Sequence, residues 1–349
     1  MSSKIQNPFL PPGSLILVTA ANGLIASHIV DQLIYYGYNV RGTVRSHSRS
    51  SWMAPLFQAR YPGSKFELVE IPDISASGCY DAALKGVSSV IHTAAINLLE
   101  DDPSVIPESV NAYINLLEAV AGANKSGENI LRVILTSSSW AVVYPTPNVP
   151  MKVDTSTYNE SAAKALLDPN TPKEARGLMT YVASKVASEQ ESWNWVKAHP
   201  DAGFILNSVM PATCIGRVLA PRDQAYPSTA GYVRSLFEGK NAEFFAWLEP
   251  QWYVDICDAA RLHVAAAVVE GVEGERIFAW AETYTWIKVK EVLEDEMGKK
   301  VLIELKDKGE DLSECPMERS LELLRALGCK GWQPFEQAVR ENIRSYYPK

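Results

Sequence analysis

Tyr181 and Lys185 stand four apart in Tyr181-Val182-Ala183-Ser184-Lys185, a segment that reads as helix. Residues four apart on a helix share a face. A lysine ammonium beside a phenol favours the phenolate, which turns an ordinary tyrosine into a usable general acid. Many surface helices carry the same pair by chance, so it needs support elsewhere in the chain. Residues 131–139 supply it: Leu131-Arg132-Val133-Ile134-Leu135 is a β-rich apolar run that ends in Thr136-Ser137-Ser138-Ser139. Hydroxyls at the end of a buried parallel strand are expected where a sheet meets a ligand crevice.

Those residues need a sheet to hold them, and an earlier segment describes one. Ser14-Leu15-Ile16-Leu17-Val18-Thr19 reads as an apolar strand and runs into the small-residue turn Ala20-Ala21-Asn22-Gly23-Leu24-Ile25-Ala26. Helical apolar spacing follows over 27–34. Strand, small-residue turn and helix make a dinucleotide-binding unit. The second strand, 38–44, leads to Arg45, and no acidic residue occurs between Asp31 and Glu67, whereas Arg41, Arg45 and Arg49 do. An acid near the end of that strand would hold the 2′-hydroxyl of NAD. A guanidinium with no repelling carboxylate suits a 2′-phosphate, so charge favours NADP(H). Arg45 is the expected contact, and Arg41 reads as a strand residue pointing elsewhere.

In this order and at these spacings, the three elements resemble the extended short-chain dehydrogenase/reductase family. Within it, the likeness is to fungal aldehyde and ketone reductases that sit beside plant dihydroflavonol reductases. It runs from about Leu10 to the C-terminus. Residues 110–119, Val110-Asn111-Ala112-Tyr113-Ile114-Asn115-Leu116-Leu117-Glu118-Ala119, look like the family's fourth helix, and Pro211 to Gly216 look like its nicotinamide-side loop. The resemblance implies a doubly wound parallel α/β sheet, the Rossmann fold. It implies that Tyr181 protonates a carbonyl oxygen as hydride arrives at carbon, and that Lys185 tunes this tyrosine and bonds the nicotinamide ribose. Ser138 would donate to the same oxygen. Motif alignment selects Ser138, alternation along the strand turns Ser137 to the other face, and geometry leaves Ser139 open.

The remaining cofactor contacts are implied in the same way. Thr19, Ala20, Asn22, Gly23, Leu24 and Ile25 surround the pyrophosphate turn. Asp73, with Ile74, would accept from the adenine amine. Thr93, Ala94 and Ala95 end the fourth strand, and Pro211 and Thr213 lie on the nicotinamide side. The family pattern has glycine where this chain has Ala20. If that backbone is left-handed, alanine costs about 1 to 2 kcal/mol, which could weaken cofactor binding about tenfold.

Composition suits a large-cored enzyme: 349 residues, 47% hydrophobic and 21% charged, with net charge −8. An acidic surface without clustered Lys and Arg argues against nucleic acid or anionic membrane as a partner. Five cysteines without Cys-x-x-Cys spacing read as reduced thiols of a cytoplasmic protein, with Cys214 near the presumed site loop. Neither a signal peptide nor a membrane span is expected. His92, inside a strand, reads as a core residue, and the other histidines lack ligand spacing, so no metal site is expected.

Strand-like runs near 14–19, 38–44, 66–71, 89–94, 131–137 and 204–210 alternate with helices. Residues 1–210 with about 251–281 are expected to form the NADP-binding domain. About 211–250 with 282–349 would form a smaller, interleaved substrate lobe. Late helical stripes occur at Leu321, Leu324 and Leu327, and at Phe335, Val339, Ile343 and Tyr346. Trp140, Tyr144, Tyr232, Phe237, Phe244 and Trp247 suggest an apolar pocket for an aryl or alkyl carbonyl. Arg217, Arg222 and Arg234 could instead grip an acidic substrate. The leading expectation is NADPH-dependent reduction of a ketone or aldehyde by a monomer or homodimer. The alternatives are a non-net-redox epimerase or dehydratase on the same scaffold and a catalytically silent NADP-binding regulator.

Overall fold

The computed structural model describes residues 5, 8–96 and 101–348. The opening residues 1–4, 6 and 7 of the expected nucleotide-binding domain lie outside the described residues, as does Lys349 of the expected lobe. In the first half of the chain, strands and helices alternate: β1 (Leu15–Val18), α1 (Leu24–Tyr35), β2 (Asn39–Val44), α2 (Met53–Arg60) and β3 (Phe66–Glu70). Then come β4 (Ser89–His92), α3 (Val105–Lys125), β5 (Arg132–Thr136), the short β6 (Met151–Lys152), α4 (Ser161–Leu167), α5 (Lys173–Ala198) and β7 (Ile205–Pro211).

The second half is more broken. It contains β8 (Thr213–Ile215), α6 (Pro221–Gln224), α7 (Ser228–Phe237), α8 (Ala242–Trp247), β9 (Gln251–Asp255), α9 (Ile256–Val268) and β10 (Arg276–Ala279). It closes with β11 (Glu282–Tyr284), α10 (Trp286–Met297), β12 (Ser313–Glu314), α11 (Glu318–Ala326) and α12 (Phe335–Tyr346).

Seven strands form one parallel sheet in the order β10-β7-β5-β4-β1-β2-β3. This is the doubly wound architecture expected, with strand order reversing between β1 and β4. Its central strands are apolar on both faces because helices cover both. Ile16, Val18, Ile91, Ile134 and Val209 join the core that includes α1 and α9. The alternate residues Leu17, Val90, Val133, Leu135 and Leu206 join the core that includes α3. That period of two sets which side chains meet which helix layer. All seven strands run the same way, so their carboxyl ends gather on one edge, where ligands bind in such sheets.

A second, three-stranded sheet has the order β11-β9-β8. Residues 251–255, assigned from the sequence to the nucleotide-binding domain, pair in this sheet, parallel to β8 and antiparallel to β11. A short apolar strand fits any half-buried sheet, and its sequence does not say which one. Val254 of β9 still joins the core on one face of the large sheet, and the following helix, α9, packs on α1, β5 and β7. A separate hydrophobic cluster gathers Val233, Leu236, Phe245, Tyr253, Trp286 and Phe335, among others. The Leu stripe lies on α11 and the Phe335 stripe on α12, ending before Gly328 and at Tyr346. Among the described residues, no helix is long and apolar enough to cross a membrane, and no His, Cys, Asp and Glu side chains cluster to hold a metal.

Candidate active site

Helix α5 carries Tyr181 and Lys185 past the carboxyl end of β5. Tyr181 lines a cavity of about 200 Å³, and Lys185, one turn further on, is only 7% exposed. The Lys185 Nζ donates to Tyr113 Oη at 3.2 Å and to the Thr136 carbonyl at 3.4 Å. Burial alone would lower its pKa. Tyr113, Tyr181 and Glu189 outweigh that effect and hold the ammonium above the ordinary lysine value.

Three consecutive serines leave β5 in different directions. Ser137 is buried, and its Oγ donates to Glu189 at 2.6 Å. All three serines line the cavity. Ser138 Oγ accepts from the Trp140 amide at 3.2 Å, so its own proton is free for another acceptor. Ile25, Pro211 and Thr213 border the same cavity, with Trp140, Tyr232 and Leu248 as its larger apolar walls. Cys214 also lines it, and its Sγ donates to the Ala212 carbonyl. Burial pushes that thiol well up, so it stays protonated.

The turn between β1 and α1, expected to hold the pyrophosphate, is compact. Ala20 adopts φ +48, the left-handed branch of the sequence expectation. Its carbonyl accepts from the Gly23 amide at 2.9 Å, and a Cβ on Gly23 would stand 3.2 Å from that oxygen. Gly42 on β2 lets the turn approach, since a Cβ there would lie 2.7 Å from the Ala21 Cβ. Leu24 opens α1 and is buried, and the Asn22 carbonyl accepts from Gln224 Nε2 at 3.2 Å. Gln224 comes from α6, far along the chain, so it ties the turn to the segment after β8.

Thr19 turns inward. Its Oγ1 accepts from the amides of Thr93 and Ala94, each at 3.0 Å, and lies 3.0 Å from His92 Nδ1. Thr93 Oγ1 in turn bonds the Thr19 carbonyl. This knot joins the ends of β1 and β4 and sets the backbone from Thr93 through Ala94 towards Ala95. Buried His92 is pulled down to about 3 and stays neutral, as a core histidine does.

Arg45 is exposed just beyond β2 and makes no ion pair or hydrogen bond among the described residues. Arg41 points away: it pairs with Glu67 at 2.6 Å and donates to the Ala83 and Lys85 carbonyls. Asp73 lies beyond β3, exposed, with Oδ1 accepting from the Ser75 amide, and the Ile74 carbonyl accepts from Asn115.

Of the six aromatic candidates, Trp140 and Tyr232 reach the cavity. Tyr144 packs on Trp140, Phe244 on Tyr232, Trp247 on Phe244, and Phe237 on Tyr347. Arg234 is held by Glu238 at 2.7 Å between the rings of Tyr226 and Tyr346, and neither Arg217 nor Arg222 borders the cavity.

Two groups escaped the sequence reading. Tyr113 sat in a quoted helix without a role. Glu189, one turn beyond Lys185, is 1% exposed and pairs with Arg276 at 2.8 Å while accepting from Ser137 and Ser208. Glu189 had a signal: it continues the Tyr181 and Lys185 face, and a buried carboxylate requires partners.

The model of the NAD dependent epimerase/dehydratase family matches residues 16–278. Aldehyde reductase 2 of Sporidiobolus salmonicolor is 34% identical, the alignment covering 98% of this chain and 99% of that one. Ketoreductase adrE of Penicillium roqueforti is 36% identical, with the same coverage of 98% and 99%. Among solved structures, Gre2 from Candida albicans in complex with NADPH superposes with a TM-score of 0.78 at 22% identity, covering 97% of this chain and 99% of that one. With most of its length matched by the family model and nearly all of it by relatives above 30% identity, the chain belongs to the NAD dependent epimerase/dehydratase family.

Proposed function

We infer that this protein is an NADPH-dependent carbonyl reductase acting on an apolar or aryl ketone or aldehyde. The observation that carries the reading is one cavity bordered by both Ser138 and Tyr181, with the Lys185 ammonium buried behind them. Relatives named aldehyde reductase and ketoreductase support reduction over epimerisation or a silent regulator.

The residues present fit the cofactor. The turn around Gly23 brings backbone close enough to cradle a pyrophosphate, and the unpaired guanidinium of Arg45 suits a 2′-phosphate. Asp73, exposed beyond β3, would accept from the adenine amine. When bound, NADPH supplies the hydride that forms the new C–H bond. Tyr181 gives its phenolic proton to the carbonyl oxygen. Ser138 is oriented by the Trp140 amide and donates its hydroxyl hydrogen to that same oxygen, stabilising the developing alkoxide. Lys185 has two N–H groups directed at Tyr113 and Thr136, which leaves a third for the nicotinamide ribose. Trp140, Tyr232 and Leu248 exclude water and favour an apolar substituent. The arginines that could hold an acidic substrate are engaged elsewhere or away from the cavity.

Loss of reduced-nicotinamide absorbance, followed with NADPH and with NADH over a panel of aryl ketones, α-ketoesters and aliphatic aldehydes, tests the reading. Oxidation faster with NADPH is expected. Tyr181→Phe should lower turnover by about two to four orders of magnitude while keeping NADPH affinity. Undiminished turnover in that variant would remove Tyr181 as the acid.

A further inference from the structure

Tyr113 lies on α3, is 3% exposed, and is not among the residues that line the cavity. Its hydroxyl accepts from Lys185 Nζ at 3.2 Å and donates to the Thr136 carbonyl at 3.2 Å. That carbonyl also accepts from Lys185 at 3.4 Å, so ammonium, phenol and peptide oxygen close a ring of hydrogen bonds. The aromatic ring of Tyr113 is fixed as well. It meets His92 edge to face at 4.8 Å and 86°, and Thr19 lies 3.0 Å from that histidine at the ends of β1 and β4.

The geometry points to Tyr113 as the positioning residue for Lys185: its hydroxyl takes one ammonium hydrogen and thereby aims the remaining one towards the ribose and Tyr181. The expected effect on rate rests on the reductase reading, but the contact with Lys185 does not. Lysine side chains turn freely, and a single carbonyl would leave the ammonium without a fixed direction. The second partner removes that freedom.

The groups around Lys185 define what a change at Tyr113 does to its charge. Tyr181 and Glu189 face it from its own helix, Tyr113 from α3, the Thr136 carbonyl from β5, and neutral His92 from β4. Burial lowers the lysine pKa, whereas Tyr113 raises it both as a polar neighbour and as a hydrogen-bond partner. Removing the hydroxyl therefore moves deprotonation of Lys185 to lower pH. Tyr113→Phe keeps the ring against His92 and leaves the Thr136 carbonyl its bond from Lys185.

Two measurements test the assignment. In protein carrying ¹³C-labelled lysine, the Lys185 ε-carbon, assigned by its loss in Lys185→Met, is titrated by NMR. Its midpoint should fall in Tyr113→Phe, whether or not any tested carbonyl is a substrate. An unmoved midpoint overturns the proposal. With a reducible carbonyl in hand, Tyr113→Phe should lower kcat about tenfold with little change in KM, and the alkaline limb of the kcat profile should move to lower pH. Against a Lys185→Met background the same substitution should cost nothing further. An equal loss there would make Tyr113 a purely structural residue. If parent protein reduces no carbonyl while the NMR midpoint still falls, the reductase reading fails and the Tyr113 assignment stands.

Discussion

Helix α5 buries two charges one turn apart, and the protein treats them in opposite ways. Glu189 meets a full counter-charge on Arg276 and accepts from two serine hydroxyls, so both carboxylate oxygens are committed. Among the described residues, Lys185 meets no carboxylate within bonding distance. It is held by a phenol and a peptide oxygen, which leaves hydrogen-bonding capacity for a ligand. A charge that is fully paired locks structure in place. One held by neutral dipoles, beside a cavity, keeps a free valence.

The comparison is broken most directly at Glu189. Glu189→Ala strands the Arg276 guanidinium, 7% exposed, beside two orphaned serine hydroxyls. The expected loss is about 3 to 5 kcal/mol of folding stability, read from urea denaturation. Lys185→Met leaves no counter-charge behind and should cost far less. Equal losses in the two variants would end the distinction between a locking charge and a ligand-facing one.

Asp255 sharpens it as a third case, a buried carboxylate capping α9 through the Cys257 amide with no direct cation partner among the described residues. Burial first, and neighbouring Asp258 second, push it from 3.8 up to about 7. The folded state then holds this proton more tightly than the unfolded chain. Its contribution to stability is complete below about pH 4 and is lost as pH rises through about 7. Asp255→Asn abolishes that titration and should gain on the parent by up to about 4 kcal/mol between pH 4 and 8. Denaturation midpoints of both proteins at several pH values test this, and a gap that stays constant with pH would refute it.

The smallest effect is expected at Ala20, where strain lies in the backbone. Because φ is already +48 in this structure, the cost of alanine falls on folding, so cofactor affinity need not suffer. Ala20→Gly relieves about 1 kcal/mol of left-handed strain but frees the unfolded chain, so stability should change by less than about 1 kcal/mol. NADPH affinity, followed by calorimetry, should stay within about twofold. A tenfold gain would return the cost of alanine to the binding step.

Much of this arrangement was legible in the chain. The large-sheet strands were readable because each is a continuous apolar run bounded by turns, and the Tyr181 and Lys185 pair because helical spacing puts both on one face. The small sheet was not. β8, β9 and β11 are three to five residues long, and each pairs with a strand from a separate part of the chain. Ser137 and Ser138 could be told apart only by alternation and motif until Glu189 appeared behind the first. Arg234, one of three candidates for an acidic substrate, is spent on Glu238.

Residue order by itself determined the parallel sheet, the small-residue turn after β1, the arginines without an acid between Asp31 and Glu67, and the tyrosine–lysine spacing, because these depend on local periodicity and on which residue types are present or absent. Tertiary structure alone decided that Ala20 is left-handed, that Tyr113 reaches Lys185 from 72 residues away, and that Glu189 finds Arg276 across 87. Partners so distant in sequence are chosen by the packing of strands and helices, and a hydrogen bond a few ångströms long forms only after that packing has brought them together.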